Sequence, residues 1–113
     1  MTSLERQAAR RGVIPPAAST LKRYGLTVDD WLARLKAQGW KCPVCQKRTG
    51  IRFVTDHEHV PGWKAKPPHE RRRYFRGVLC AFDNHRRVPS RQSSQEAHRI
   101  GDYLADYEAR RDA

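Results

Sequence analysis

Two clusters of metal-binding residue types lie far apart along the sequence. One is CPVC at residues 42–45, the other is CAFD at residues 80–83, and DHEH at residues 56–59 lies between them. A Cys-x-x-Cys turn directs two thiolates at one ion, and a structural zinc site takes four ligands of this kind. Any fold that closes the site must bring the two clusters together. The pattern predicts a structural zinc site that holds a second, hydrolytic metal site in place.

Length and charge narrow the range of folds and partners. The chain has 113 residues, of which 38% are hydrophobic, so we expect one modest domain that gains stability from a bound metal. It carries 23 Lys and Arg against 12 Asp and Glu, a formal charge of +11. A charge this large on a short chain indicates a nucleic acid as the partner, but it does not distinguish DNA from RNA.

Three cysteines cannot all pair in disulfides, and the N-terminal residues lack the apolar core of a signal peptide. We therefore expect an intracellular, reduced protein. No apolar run reaches the roughly 20 residues needed to cross a bilayer, which predicts that the chain does not span a membrane.

The sequence divides into a basic arm, residues 1–20, and a single domain, residues 21–113. Residues 1–20 contain several arginines and two prolines but no periodic apolar face, apart from a possible short helix over residues 4–11. We predict that this arm is partly disordered. It either follows a nucleic-acid backbone or is simply a disordered terminus.

Two helices are predicted around the central motifs. Thr27 is a suitable N-cap for a packing helix that ends at Gly39. Trp31 and Trp40 are expected in the core and not stacked on bases. A C-terminal helix, marked by apolar residues between Ile100 and Tyr107, is expected to be structural.

Two strands and a short helix are predicted around the acid and histidines. Residues 51–54 suit a strand that ends at Asp56, and residues 74–79 suit a second strand. A helix is expected near residues 83–87. Residues 61–73, rich in proline and ending in three arginines, predict a protruding loop in which Arg71, Arg72 and Arg73 contact phosphate; a solvated charge run is the alternative.

In their order, these motifs resemble the phage recombination endonuclease VII family, within the HNH or ββα-metal nucleases. The resemblance rests on YGLT at residues 24–27, the CPVC and DHEH motifs, RGVLC at residues 76–80, and Asn84. A lone Cys-x-x-Cys is a weak signal, whereas these motifs in sequence are specific. The resemblance implies an α+β fold: a small zinc-stabilised ββα-metal (HNH-type) core with a packing helix before it and a helix after it.

The resemblance also implies roles for three residues. Asp56 and Asn84 would hold a divalent ion, Mg²⁺ or Mn²⁺, and His57 would take a proton from the attacking water. Carboxylate and amide oxygens are hard ligands that suit Mg²⁺. A histidine with an ordinary pKa of about 6.5 is mostly neutral at pH 7 and therefore able to act as a base.

Neighbouring residues are expected to play secondary parts. His59 should face the same way as His57 in a strand, and we expect it to support catalysis by binding metal, phosphate or leaving group. Arg76 contacts either phosphate or an acid within the fold. Glu58 should face solvent or pair with an arginine. Arg86 and Arg87 complete the predicted nucleic-acid contacts.

Asp83 departs from the family pattern, since it stands where the fourth zinc-binding cysteine would be. Its spacing from Cys80 favours it as the fourth ligand beside Cys42 and Cys45, with His85 as the alternative. His69 is a further candidate nitrogen ligand. A site that has lost zinc is the remaining possibility.

These expectations combine into a metal-dependent DNA endonuclease that nicks DNA, with branched DNA as a candidate substrate. The alternative is a non-catalytic, zinc-stabilised nucleic-acid-binding module. The short C-terminal stretch predicts a monomer or weak homodimer. A larger phage assembly is a further candidate partner, and the bacterial host cytoplasm is the expected location of a phage-encoded enzyme.

Overall fold

The computed structural model describes residues 1–85 and 94–113 of the chain, and the side chains of residues 1–84 and 95–113. Two antiparallel strands form the described sheet, β1 (Phe53–His57) and β2 (Phe75–Cys80). The described α-helices are α1 (Ser3–Arg10), α2 (Ala18–Lys22), α3 (Val28–Ala37), α4 (Pro68–Arg71), α5 (Ala81–His85) and α6 (Ser94–Arg111). The result is a small α+β fold, as the sequence predicted.

Helix α3 begins where the sequence placed its cap. The Thr27 side chain accepts from the Asp30 backbone N–H, and the Asp30 carboxylate accepts from the Thr27 N–H, which together form a capping box. The helix ends at Gln38, and Gly39 follows with a φ of +78°, a conformation that glycine adopts without steric cost. Trp31 is fully buried and Trp40 is buried, so their prediction as core residues is confirmed.

Residues 1–20, for which the sequence predicted a partly disordered arm with a possible short helix, contain helix α1 and contribute to the core. Helix α1 carries a capping box between Thr2 and Glu5, and Ala8 is 2% exposed in the same core as Trp31. Val13 is also buried there. The sequence pattern was weak because α1 is short and contributes few apolar side chains, whereas its stability comes from the cap and from packing on α3.

The two strands pair with a β-bulge. Asp56 lies opposite Gly77 and His57 lies opposite Phe75, so Arg76 is the extra residue in β2. Bulges re-aim side chains, and the Arg76 guanidinium lies against the Asp56 carboxylate. Both strands lie slightly later in the sequence than predicted. β1 begins at Phe53 and extends to His57, and β2 begins at Phe75 and extends to Cys80.

The outer edge of β2 is occupied by a side chain. The Gln38 amide donates to the Val78 carbonyl at 2.7 Å and accepts from the Val78 N–H at 3.0 Å. A glutamine from the end of α3 thereby satisfies both backbone groups that a neighbouring strand would otherwise pair.

The hairpin separates two groups of buried residues. Val78 packs with α1, α2 and α3, whereas its neighbour Leu79 packs with Cys42, Val44 and Tyr103. This alternation is the ordinary period of a strand with both faces covered. No described helix is both long enough and apolar enough to span a membrane.

Helix α6 lies against the hairpin through one stripe of its surface. The residues of this stripe recur at every fourth position: Arg99, Tyr103, Tyr107 and Arg111. Tyr107 donates to Glu58 at 2.7 Å and Arg111 forms an ion pair with the same carboxylate, so the expected arginine partner of Glu58 is Arg111. The hydrogen bond from Tyr107 lowers the pKa of Glu58. The helix is therefore tied to the chain segment that carries Asp56 and His57.

The segment between the strands contains α4 and two single 3₁₀ turns, Trp63–Ala65 and Arg72–Tyr74. It packs closely on the turn between α2 and α3. The approach is so close that a Cβ atom added to Gly25 would lie 2.1 Å from the Pro68 carbonyl oxygen. Gly25 also has a φ of +73°. This close approach holds the segment, which was predicted to protrude as a loop, against the domain.

We expect Asp30→Asn to lower the free energy of unfolding by about 1 kcal/mol at pH 7. The effect is small because Arg72 is exposed and solvent screens its ion pair with Asp30. Asparagine keeps an oxygen for the Thr27 N–H but loses the charge that pairs with Arg72. Hydrogen bonds from Arg72, the largest cause, and from Thr27 lower the Asp30 pKa from 3.8 to about 2. Because the folded pKa is the lower one, this stability is present above about pH 4 and is lost as the pH falls towards 2.

Urea unfolding of both proteins at pH 6 and pH 2.5 measures this difference, with Asp29→Asn as the control for loss of a carboxylate in the same helical turn. A difference between wild type and Asp30→Asn that stays constant over this pH range would contradict the ion-pair explanation.

Candidate metal centre and active site

Four potential metal ligands converge where β2 meets α5. Their ligand atoms all lie within 4.8 Å of one another, and they belong to Cys42, Cys45, Cys80 and Asp83. The Cys45 and Cys80 sulfurs are 3.8 Å apart. Two thiolates on one tetrahedral zinc, each with a Zn–S bond of about 2.3 Å, would be separated by about that distance. The cluster is therefore consistent with a structural zinc.

The local backbone explains how the cluster forms. Cys42 donates its N–H to Lys47 and its carbonyl accepts from Gln46, which folds residues 42–47 into a tight turn. Arg99 of α6 donates to the Val44 carbonyl within that turn. On the other side, Cys80 ends β2 and Asp83 lies one turn into α5, so the strand-to-helix junction presents both side chains together.

The surroundings favour the protonated form of two of the thiols. Burial raises the pKa of Cys42 to about 11, and burial together with the Asp83 carboxylate raises the pKa of Cys80. The Asp83 carboxylate lies 3.2 Å from the Cys42 sulfur and 3.0 Å from the Cys80 sulfur. A bound divalent cation would reverse these preferences, because metals bind the deprotonated thiolate.

Asp83 occupies the position predicted for the fourth ligand. The His85 side chain, the alternative, lies outside the described part of the structure, as do Arg86 and Arg87. His69 lies exposed on α4 and does not belong to the cluster. The structure thus brings together the three cysteines and the aspartate that sequence spacing favoured.

Asp56 is buried in an ion pair. Its carboxylate is 1% exposed and accepts two hydrogen bonds from Arg76, at 3.0 and 3.3 Å, and one from the Tyr103 hydroxyl at 2.7 Å. Of the two alternatives for Arg76, the structure shows the ion pair within the fold. A buried carboxylate of this kind is stabilised by charge-assisted bonds from both the bulge and α6.

His57 lies among aromatic rings. Its ring stacks on Trp63 with centroids 4.3 Å apart, and Tyr24 approaches edge-on at 5.6 Å. His59 lies 4.8 Å from His57, so the two histidine rings are neighbours, as their spacing predicted. Asp56 and His57 are adjacent in sequence but contact different parts of the fold. Asp56 contacts α6, and His57 contacts the segment between the strands. Asn84 is half-buried on α5, which packs against both strands.

Of the predicted phosphate-binding arginines that the structure describes, Arg71, Arg72 and Arg76 have polar partners inside the fold. Arg71 donates to the carbonyls of Arg23, Trp63 and Lys64, and its guanidinium stacks on the Trp63 ring at 4.6 Å. Arg72 pairs with Asp30. Arg73 is exposed and lies over the ring of Tyr74.

Sequence reasoning missed two residues that shape this region. Trp63 was overlooked because it lies in a proline-rich segment, yet it stacks between His57 and Arg71, and its indole nitrogen is buried with no partner among the described residues. Tyr103 was treated only as an apolar position of a structural helix. Its four-residue spacing from Arg99 and Tyr107 was the available signal for a helix face with polar contacts.

Comparison with known proteins adds three findings. The family model described as recombination endonuclease VII matches residues 17–106. The chain is similar to the Gene 59 protein of Mycobacterium phage D29, with 32% identity over 66 residues that cover 57% of this chain. That alignment covers 33% of the phage protein, so the chain spans about a third of its relative's length. No solved structure matches the chain.

We expect the protein to bind one zinc ion per chain. Asp83→Cys should retain the metal, because it restores a fourth thiolate, whereas Cys80→Ala should lose it and lower the Tm by about 10 °C or more. Metal analysis and thermal unfolding measure both effects. Asp102→Asn removes an exposed carboxylate from α6 and serves as the control. A Cys80→Ala protein with unchanged zinc content and Tm would show that the cluster holds no structural metal.

Proposed function

Because the chain belongs to the recombination endonuclease VII family, we propose that it is a metal-dependent DNA endonuclease that hydrolyses phosphodiester bonds. The observation that carries this proposal is the family match over residues 17–106. That range includes every predicted metal ligand and catalytic residue, from Cys42 to Asn84. The net charge of +11 supports a polyanionic substrate.

The proposed fold assignment is a zinc-stabilised ββα-metal core of the HNH type. Strands β1 and β2 would be the two β elements, and α5, directly after Cys80, would be the α element. Helix α3 would be the packing helix before this core and α6 the helix after it. Zinc at the cysteine cluster would fix the junction between β2 and α5, and with it the position of Asn84.

The proposed catalytic ion is Mg²⁺ or Mn²⁺, held by Asp56 and Asn84. One carboxylate and one amide oxygen fit such an ion, since both are hard donors. Asp56 would have to share its oxygens with Arg76 and Tyr103, which already donate to it. When bound, the ion would supply Lewis-acid stabilisation of the charge that develops on the scissile phosphate.

His57 is the proposed general base. Its imidazole would accept a proton from the water that attacks phosphorus, while the bond from phosphorus to the leaving oxygen breaks. The stacking of Trp63 limits the rotation of the His57 ring, and Arg71 holds Trp63 from its other face. His59, 4.8 Å away, would support the reaction through the metal, the phosphate or the leaving group.

The proposed substrate is DNA, cut as a nick in one strand by each active site, with branched DNA as a candidate. We also propose a monomer or weak homodimer. Similarity to a phage protein supports a phage-encoded enzyme that acts in the bacterial host, alone or within a larger phage assembly.

We expect His57→Ala to reduce Mg²⁺-dependent nicking of supercoiled plasmid by about 100-fold or more, because general-base catalysis contributes this much. The affinity for DNA in EDTA should stay within about twofold of wild type. His69→Ala is the matched control, since His69 is an exposed histidine on α4. Equal nicking rates in wild type and His57→Ala would refute the assignment of the base.

A second candidate function is a non-catalytic, zinc-stabilised module that binds nucleic acid. The observation in its favour is the buried ion pair of Asp56 with Arg76, because a structural role alone accounts for these contacts. Under this alternative, wild type would bind plasmid but would not nick it with any divalent ion.

Asp56→Asn and Tyr103→Phe separate the two roles of Asp56. We expect Asp56→Asn to reduce nicking by about 100-fold and to destabilise the fold by about 3 kcal/mol, because Arg76 loses its buried partner. Tyr103→Phe removes one hydrogen bond to the same carboxylate but keeps its charge, so nicking should fall only a few-fold. Nicking rates and urea unfolding measure both effects. If Asp56→Asn nicks as fast as wild type, Asp56 is a structural residue and not a metal ligand.

A further inference from the structure

A groove between α3, α6 and the start of β2 is lined by an unusual number of arginines. Its volume is about 520 Å³. The guanidinium-bearing residues in its wall are Arg34, Arg72, Arg73, Arg110 and Arg111. Among the described residues that line the groove, Asp30 is the one acid. The lining itself thus carries five guanidinium groups against one carboxylate.

Three of these arginines have carboxylate partners, but the pairs are accessible to solvent. Arg72 pairs with Asp30 at 2.6 Å and Arg110 pairs with Asp106 at 3.1 Å, and in each pair one side chain is more than half exposed. Arg111 pairs with Glu58 and Asp112. Exposed ion pairs contribute little to stability, so a multivalent anion can compete for these guanidinium groups.

Arg34 and Arg73 have no carboxylate within ion-pair distance in the described part of the chain. The Nε of Arg34 is buried and lacks a hydrogen-bond partner there. Burial lowers the pKa of Arg34, and the nearby charge of Arg110 lowers it further. A buried donor without a partner is costly, so a hydrogen-bond acceptor that enters the groove at Arg34 would be favoured.

The groove is adjacent to the proposed active site. Phe75 lines the groove, and Phe75 is also the residue that pairs with His57 across the two strands. Neighbouring strands are separated by about 4.8 Å, so the groove begins about one strand away from the backbone of the proposed general base. Arginine forks match the geometry of phosphate oxygens, with two parallel N–H···O bonds per group.

We propose that this groove binds the sugar-phosphate backbone of the DNA substrate, with Arg34 and Arg73 as the principal contacts. The inference rests on the proposed endonuclease function for the identity of its ligand. It assigns a role to one residue of α3 and one of the 3₁₀ turn before β2, both outside the metal cluster and the Asp56–His57 motif. Two successive phosphates of a strand in the groove would bring one negative charge each to the two guanidinium groups that have no carboxylate partner among the described residues.

The test compares a double variant, Arg34→Gln with Arg73→Gln, against a control with the same loss of charge, Lys22→Gln with Lys47→Gln, at two exposed positions outside the groove. Fluorescence anisotropy with a labelled 20-base-pair DNA duplex, in EDTA and at several KCl concentrations, gives the Kd and its salt dependence. We expect the slope of log Kd against log salt to fall by about 2 in the groove variant, and affinity at low salt to fall by about tenfold or more. The control should change both quantities far less.

Two further measurements keep the result interpretable. Thermal unfolding shows whether the groove variant folds, and Arg34→Lys, which keeps a charge but loses the fork, should weaken binding by an intermediate amount. If Arg34→Gln disturbs the fold, the single variant Arg73→Gln replaces the double variant, because Arg73 is exposed. It should lower the slope of log Kd against log salt by about 1.

The outcomes separate this inference from the proposed function. If wild type nicks plasmid but the groove variant binds DNA with the same Kd and slope as the control, the groove inference is overturned and the endonuclease stands. If the groove variant loses affinity selectively while wild type binds without nicking, the groove is supported and the catalytic proposal fails. If wild type neither binds nor nicks DNA, both are overturned.

Discussion

Cys80 lies where β2 ends and α5 begins, and its sulfur is 3.8 Å from that of Cys45 in the turn after α3. This one contact joins segments that are 35 residues apart. With two strands in the described sheet and several short helices, the chain has few extended elements to fix its topology. Closure of the cysteine cluster sets the position of the β2–α5 junction, and the pairing of β1 with β2 then determines where Asp56 and His57 lie. The rest of the candidate site depends on that closure.

A second layer of constraint comes from α6. Arg99 contacts the cysteine turn, Tyr103 contacts Asp56, and Tyr107 with Arg111 contacts Glu58. One helix face therefore fixes the metal cluster and the acid-bearing strand relative to each other. The same helix contributes Arg110 and Arg111 to the arginine-lined groove. A helix predicted as merely structural is the element that connects the candidate metal centre, the candidate active site and the proposed DNA contact.

The sequence was sufficient to predict those parts of the fold and site whose interactions join residues close together in the chain. Thr27 and Asp30 are three residues apart, so the cap of α3 was readable, and the spacing of Asp83 from Cys80 identified the fourth member of the cluster. It was insufficient where the contacts depend on how the irregular segment between the strands folds. The sequence around Trp63 does not show that its ring stacks on His57, and Arg71 resembles part of a solvated charge run although the carbonyls of Arg23, Trp63 and Lys64 accept from it. Helix α1 was predicted only as a possible short helix, because its apolar periodicity is weak and its packing on α3 cannot be seen in the local pattern.

The amide of Gln38 covers part of the outer edge of β2, a contact that the sequence of the hairpin does not predict. By bonding both backbone groups of Val78, this side chain takes the place of one residue of a third strand. An extended segment from another molecule cannot add to the hairpin at that position unless it first displaces the glutamine. A small basic protein that concentrates on polyanions brings many copies of itself close together, where exposed strand edges promote aggregation. A single polar side chain at the end of α3 thus protects the chain from self-association through this edge under the crowded conditions in which we propose it works.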